Sequence, residues 1–280
     1  NEISDLGLLP ADFGCLGERV GYYGNSLGDH FGVGHIFLAG EAPGLFYGYV
    51  TQGIVQKEDI TENGIKYIKQ DGSVGYYQTV NKTTPVAGDV KYVDRNGDGV
   101  VDDNDRDIIG NPNPDFTYGF QTKVSWKSLS LSASFNGVQG RDILNVGNRY
   151  NNTPGTKSNN VTRKAFQNMW TDENPSNLYP KSTFVVQNMV MDRYVEDGSY
   201  LRCSDITLSY ILPAKWTNKI GIKNTTVYAS VKNAFVITDY SGYDPEVNSF
   251  AFDGLRPGVD MNSYPTPRSF VFGLNLKIGR

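Results

Sequence analysis

The stretch Phe116-Thr-Tyr-Gly-Phe-Gln-Thr-Lys-Val-Ser-Trp126, followed after Lys127-Ser128 by Leu129-Ser-Leu-Ser-Ala-Ser-Phe-Asn136, decides how this chain folds. In its first half Phe116, Tyr118, Phe120, Thr122, Val124 and Trp126 share one face of a period-2 strand, while Thr117, Gly119, Gln121, Lys123 and Ser125 share the other. The second half sets Leu129, Leu131, Ala133 and Phe135 against Ser130, Ser132, Ser134 and Asn136, so the two read as a hairpin with a tight turn.

Three segments further along obey the same rule: Ile206, Leu208, Tyr210 and Leu212; Val227, Ala229, Val231 and Phe235; and Phe270, Phe272, Leu274, Leu276 and Ile278. None of these apolar faces carries a charge, and Lys123, Lys232 and Lys277 fall on the opposite faces. That segregation matters because Lys or Arg facing lipid at the bilayer midplane costs about 2–4 kcal/mol, whereas a lumen face tolerates it. Connections alternate between short (127–128, 213–224) and long (139–195, 238–267), as in barrels with short periplasmic turns and long outer loops; that alternation would put Arg280 on the periplasmic side. The pattern therefore predicts an all-β, antiparallel transmembrane barrel. Its competitor is a soluble antiparallel sandwich, which alternates in the same way with one face packed inward. One short helix is expected inside the first long loop, around Val161–Trp170. No repeat or linker divides the chain, so residues 1–280 read as a single domain.

Composition agrees: 18 Tyr, 14 Phe and 31 Gly in 280 residues suit short strands and turns rather than a helix bundle. A net charge of -4 offers no basic stripe for a phosphate backbone, which argues against nucleic acid as a partner. A mean hydropathy of -0.41 excludes no barrel, since lipid-facing and lumen-facing residues average out. The sequence opens at Asn1 without a signal-peptide pattern, and is expected to be a piece of a longer exported chain. Cys15 and Cys203 have no metal or redox spacing and read as free thiols, and His30 and His35 alone do not make a metal site. No nucleophile elbow, zinc-protease or phosphate-loop motif occurs, so the chain does not read as an enzyme. Loop aromatics Tyr179, Tyr240, Tyr243, Phe250 and Phe252 read as packing residues first and sugar platforms second.

One motif does carry chemistry. Asp94-Arg-Asn-Gly-Asp-Gly-Val-Val-Asp-Asp-Asn-Asp105 matches a calcium-loop template at Asp94, Asn96, Asp98, Gly99, Asp102 and Asp105, with the Val100 carbonyl at the seventh position. Convergent carboxylates would repel by about 4 kcal/mol per close pair at an effective dielectric of 20, and Ca2+ would relieve them. The competing reading is a solvated acidic turn punctuated by Asn-Gly and Asp-Gly.

Several blocks together resemble the SusC/RagA family of TonB-dependent transporters. They are Gly44-Leu-Phe-Tyr-Gly-Tyr-Val-Thr-Gln-Gly-Ile54, Gly88-Asp-Val-Lys-Tyr-Val-Asp94, Ile109-Gly-Asn-Pro-Asn-Pro-Asp-Phe116, and Tyr194-Val-Glu-Asp-Gly-Ser-Tyr-Leu-Arg202. To these add Ile206-Thr-Leu-Ser-Tyr-Ile-Leu-Pro213, Asn233-Ala-Phe235, Tyr240-Ser-Gly-Tyr-Asp-Pro-Glu246 and Tyr264-Pro-Thr-Pro-Arg-Ser-Phe270. The resemblance implies the C-terminal portion of a 22-stranded, plugged barrel in the outer membrane of a Gram-negative bacterium. It further implies a SusD-like lipoprotein lid, energy from the TonB complex, and glycan, oligosaccharide or peptide cargo. The sequence departs from the family pattern at Cys203-Ser204-Asp205, and ends in Gly279-Arg280 where an aromatic is usual. The rival from another class is a soluble, calcium-stabilised carbohydrate-binding β module.

Overall fold

The computed structural model describes residues 2–6, 13–16, 19–28, 32–153, 160–182, 189–217 and 222–278; His30, Gly279 and Arg280 lie outside them, as does the Cys15 side chain. The fold is all-β. No helix among the described residues is long and apolar enough to cross a membrane, which says nothing about crossing by strands.

Contacts group the chain into two compact units: residues 1–113, 142–196 and 247–263 in the first, and residues 114–141, 197–246 and 264–280 in the second. The chain crosses between them after 113, 141, 196, 246 and 263. Division by repeated crossing leaves no linker and no shift in composition at any one place.

The second unit is built on one five-stranded antiparallel sheet: β1 (Phe116–Trp126), β2 (Leu129–Gln139), β3 (Tyr200–Ile211), β4 (Ile222–Thr238) and β5 (Ser269–Ile278), paired in that order. The hairpin between β1 and β2 pairs Phe116 with Gln139 through to Trp126 with Leu129, and Lys127 turns the chain at φ 53°. Pairing is regular except at one bulge, where Ser204 of β3 has no opposite number between Cys203 and Asp205. An extra residue in a period-2 strand transfers the apolar set to the other parity, so Cys203 and Ile206 share a face although three positions apart. The departure from the family pattern at 203–205 coincides with this bulge. Cys203 is a free, buried thiol, facing Phe135 on one side and Phe235 on the other.

The first unit has an ordinary core. Strands Phe13–Leu16, Arg19–Tyr23, His35–Leu38, Leu45–Tyr49 and Arg106–Gly110 form a second five-stranded antiparallel sheet, and Ile60–Thr61, Gly64–Ile68 and Val74–Tyr77 form a three-stranded one. Phe46, Tyr67, Tyr77 and Tyr92 are fully buried among Val, Ile, Leu and Met side chains. The expected helix is present as α2 (Arg163–Asn168), capped by the Thr162 hydroxyl; α1 (Val146–Asn152), capped by Asn145, precedes it. Of the apolar positions expected to line α2, Ala165 is buried but Phe166 is exposed.

Candidate functional site

Register alone sorts the side chains of the sheet in the second unit. Val124, Leu131, Leu208, Ala229 and Phe272 make one continuous cross-strand row; Trp126, Leu129, Tyr210, Val227 and Leu274 make the row below it. Above them, Phe120 stacks on Phe135 with ring centroids 4.5 Å apart, and Phe135 meets Phe235 edge-on. No paired position on this face carries a charge. The face is also exposed: Val124 by 64%, Trp126 by 69%, Phe270 by 67% and Phe272 by 80%. In water each such side chain would forgo about 1.5–3 kcal/mol of burial, and a contiguous apolar surface of this extent marks contact with another apolar phase. Strand length fits that phase. The 11 residues of β1 reach about 36 Å at a rise of about 3.3 Å, and a tilt of about 40° reduces this to about 28 Å, close to a bilayer's hydrocarbon thickness.

The opposite face is polar along the same rows: Lys123, Ser132, Thr207 and Ser230; then Gln121, Ser134, Asp205, Lys232 and Ser269. Here Lys232 pairs with Asp205 at 2.6 Å, and Asp205 also accepts from Ser230 (2.7 Å) and Thr207 (2.8 Å). The expected positions of Lys123 and Lys232 on the polar face therefore hold, while the Lys277 side chain lies outside the described residues.

The acidic loop belongs to the first unit. Asp94 accepts from the backbone N–H of Gly97 (2.6 Å) and Gly99 (2.9 Å), whose φ values of +76° and +86° are open to glycine at no steric cost. Asp105 is fully buried and accepts from Arg95, Asn96 and Asp102 N–H at 2.7–3.2 Å. Asn96 and Asp98 cap Asp98 and Val100 N–H in turn, and Asp102 caps Asn104 N–H. Val100 pairs in parallel with Thr79, in a two-residue strand. The six candidate residues thus lie along one turn. Among the described residues, however, no three acidic, imidazole or thiol groups converge where a metal ion could be held. As it stands the loop does not fit a calcium ion: its carboxylates face inward onto their own backbone. Alternate oxygens cap a tight turn as readily as they ligate, so spacing could not tell the two apart.

Sequence reasoning missed what anchors this loop. Tyr67 donates to the Asp94 carbonyl at 2.6 Å, Tyr49 donates to Asp103 at 3.0 Å, and Arg95 pairs with Asp107. Burial pushes the Tyr67 hydroxyl up to about 12, and raises Asp105 above the usual carboxylate range despite its N–H donors. A cavity of about 270 Å³ separates Lys69–Asp71 from Val93–Gly97, lined by polar groups and one valine. Of the loop aromatics, Tyr179 and Tyr240 are buried and Phe250 packs on the core, while Tyr243 and Phe252 are exposed. His35 is fully buried, its Nε2 2.9 Å from the Pro257 carbonyl.

Comparison with known proteins gives the same picture from outside. No family model matches the chain. "TonB-dependent receptor P3" of Formosa agariphila is 33% identical over 247 residues, 86% of this chain and 23% of the relative. "TonB-dependent receptor P26" of the same bacterium is 35% identical over 199 residues, 68% of this chain and 20% of the relative. "TonB-dependent receptor SusC" of Bacteroides thetaiotaomicron is 34% identical over 193 residues, 66% of this chain and 17% of the relative. The chain thus spans about a fifth of the length of these relatives. The solved RagAB peptide transporter matches 92% of this chain and 26% of its own, with a TM-score of 0.61 at 23% identity, a likeness of fold. With its uncharged apolar wall, its polar reverse face and these relatives, the chain belongs with the TonB-dependent receptors of the SusC/RagA type.

Proposed function

We propose that this chain is the C-terminal portion of a 22-stranded, plugged outer-membrane barrel that imports glycans, oligosaccharides or peptides. A SusD-like lipoprotein would close it from outside, and the TonB complex would energise it through parts of the protein that this sequence does not include. The observation that carries the proposal is the exposed, uncharged apolar face of β1–β5 backed by a polar one. A soluble sandwich would bury that face, which weighs against the carbohydrate-binding module. Unpaired edges at β1 and β5 support a wall continued by further strands, since lipid cannot satisfy free backbone groups. The relatives are receptors and the chain shows no catalytic motif, so transport is favoured over catalysis.

For the acidic loop, the part its geometry supports is a self-capped turn in the first unit. Calcium stabilisation is the rival proposal: melting the full-length parent in millimolar calcium and in chelator separates them, since a self-capped turn gives equal midpoints and a bound ion a higher one in calcium. The transport reading is tested by expressing the parent with its signal peptide. Fractionation with outer membranes and heat-modifiable gel migration are expected; a protein soluble without detergent would refute it.

A further inference from the structure

Two of the blocks quoted above, Tyr200-Leu-Arg202 and Asp244-Pro-Glu246, meet in one buried polar cluster lying wholly within the second unit. The Arg202 guanidinium is 2.5 Å from Asp244 through Nη2 and 3.3 Å from Glu246 through Nε, and its side chain is 6% exposed. Glu246 also accepts from the Tyr200 hydroxyl (2.7 Å) and Asn136 (2.9 Å). Asp244 accepts from Glu246 N–H (3.0 Å) and Thr266 N–H (3.3 Å), and Arg141 donates to the Pro245 carbonyl. The Arg141 carbonyl in turn accepts from Gly198 N–H at 2.8 Å. Burial alone would raise the Asp244 carboxyl, but these donors and the Arg202 charge outweigh it and hold the group below the usual carboxylate range.

The placement of these residues along the chain is what gives the cluster meaning. Arg141, Gly198, Glu246 and Thr266 each stand within three residues of a crossing between the two units, at 141/142, 196/197, 246/247 and 263/264. We propose that Arg202, with Asp244 and Glu246, is a clamp that ties four of the five crossings together, so that the segments entering the first unit loosen or hold as one. A buried cation between two carboxylates suits this task, because removing any one charge leaves the others unpaired in a desolvated place.

Hydrogen exchange of the full-length parent in detergent tests it, read by mass spectrometry on peptides covering 139–142, 196–200, 239–247 and 263–267. Arg202→Ala is expected to speed exchange in all four together, on the order of tenfold, and Arg202→Lys by less, while the turn at 126–129 does not change. Should Arg202→Ala fail to give a heat-modifiable band, Glu246→Gln, which keeps the Arg202–Asp244 pair, decides by the same four-peptide pattern. Faster exchange confined to 239–247, or none, overturns the clamp. If the unaltered parent has no heat-modifiable band, it is the membrane reading that falls, and the exchange pattern still judges the clamp.

Discussion

The two units dispose of their large side chains in opposite ways. In the first, Phe46, Tyr67, Tyr77 and Tyr92 are buried to within 1% and close on one another in an ordinary core. In the second, Phe116, Phe120, Phe270 and Phe272 stand more than half exposed on one face of a sheet whose other face carries serine, threonine and lysine. The same residue types, at the same abundance, are therefore fitted to two solvents: the first unit hides them from water, and the second presents them to lipid.

That contrast can be broken at its strongest point first. Phe46→Ala is expected to destabilise the first unit by about 3–5 kcal/mol, because it empties a close-packed site, while the parent keeps its heat-modifiable band; loss of that band would show that the two units fold as one. Leu208→Arg, in the middle of the apolar rows, should cost the wall about 2–4 kcal/mol on folding into lipid vesicles, whereas Ser132→Arg on the polar face should cost less than about 1 kcal/mol. Equal penalties for the two would remove the distinction between a lipid face and a lumen face.

His35 sharpens the comparison by pH. Burial lowers its pKa from 6.5 to about 4, so between those values the unfolded chain binds a proton that the folded one refuses. The stabilisation is complete above pH 6.5 and is lost as pH falls toward 4, by about 3 kcal/mol in all. Denaturant unfolding of the parent across pH 4–7 should show this slope, and His35→Gln should flatten it. The smallest effect belongs to the acidic loop. Asp94→Ala leaves the Gly97 and Gly99 N–H groups without their acceptor and should cost about 1–3 kcal/mol, read as a lower melting midpoint with the wall unchanged.

How much of this was legible beforehand follows from the range over which each feature is encoded. The β1–β2 hairpin, the apolar faces of β3, β4 and β5, and the short helix α2 are local patterns, and all appear where the residues suggested. The acidic loop was legible as a turn, yet its oxygens gave no sign that they face inward onto backbone N–H groups. The sheets of residues 13–110 were not foreseen, because their strands are mostly of two to five residues, too short for period 2 to register.

What the sequence determined by itself is the wall: side chains alternate along an extended backbone, so a face without charge is written into every second letter, and the family blocks along 44–278 name its kind. Only the tertiary structure decided the rest. The bulge at Ser204 that restores the apolar parity, the meeting of Arg202 with Asp244 and Glu246 more than forty positions away, and the tyrosines of 49 and 67 that brace the acidic loop are all long-range partnerships. Nothing in a residue's near neighbours specifies them, since they arise only when distant segments compete for the same buried donors and acceptors.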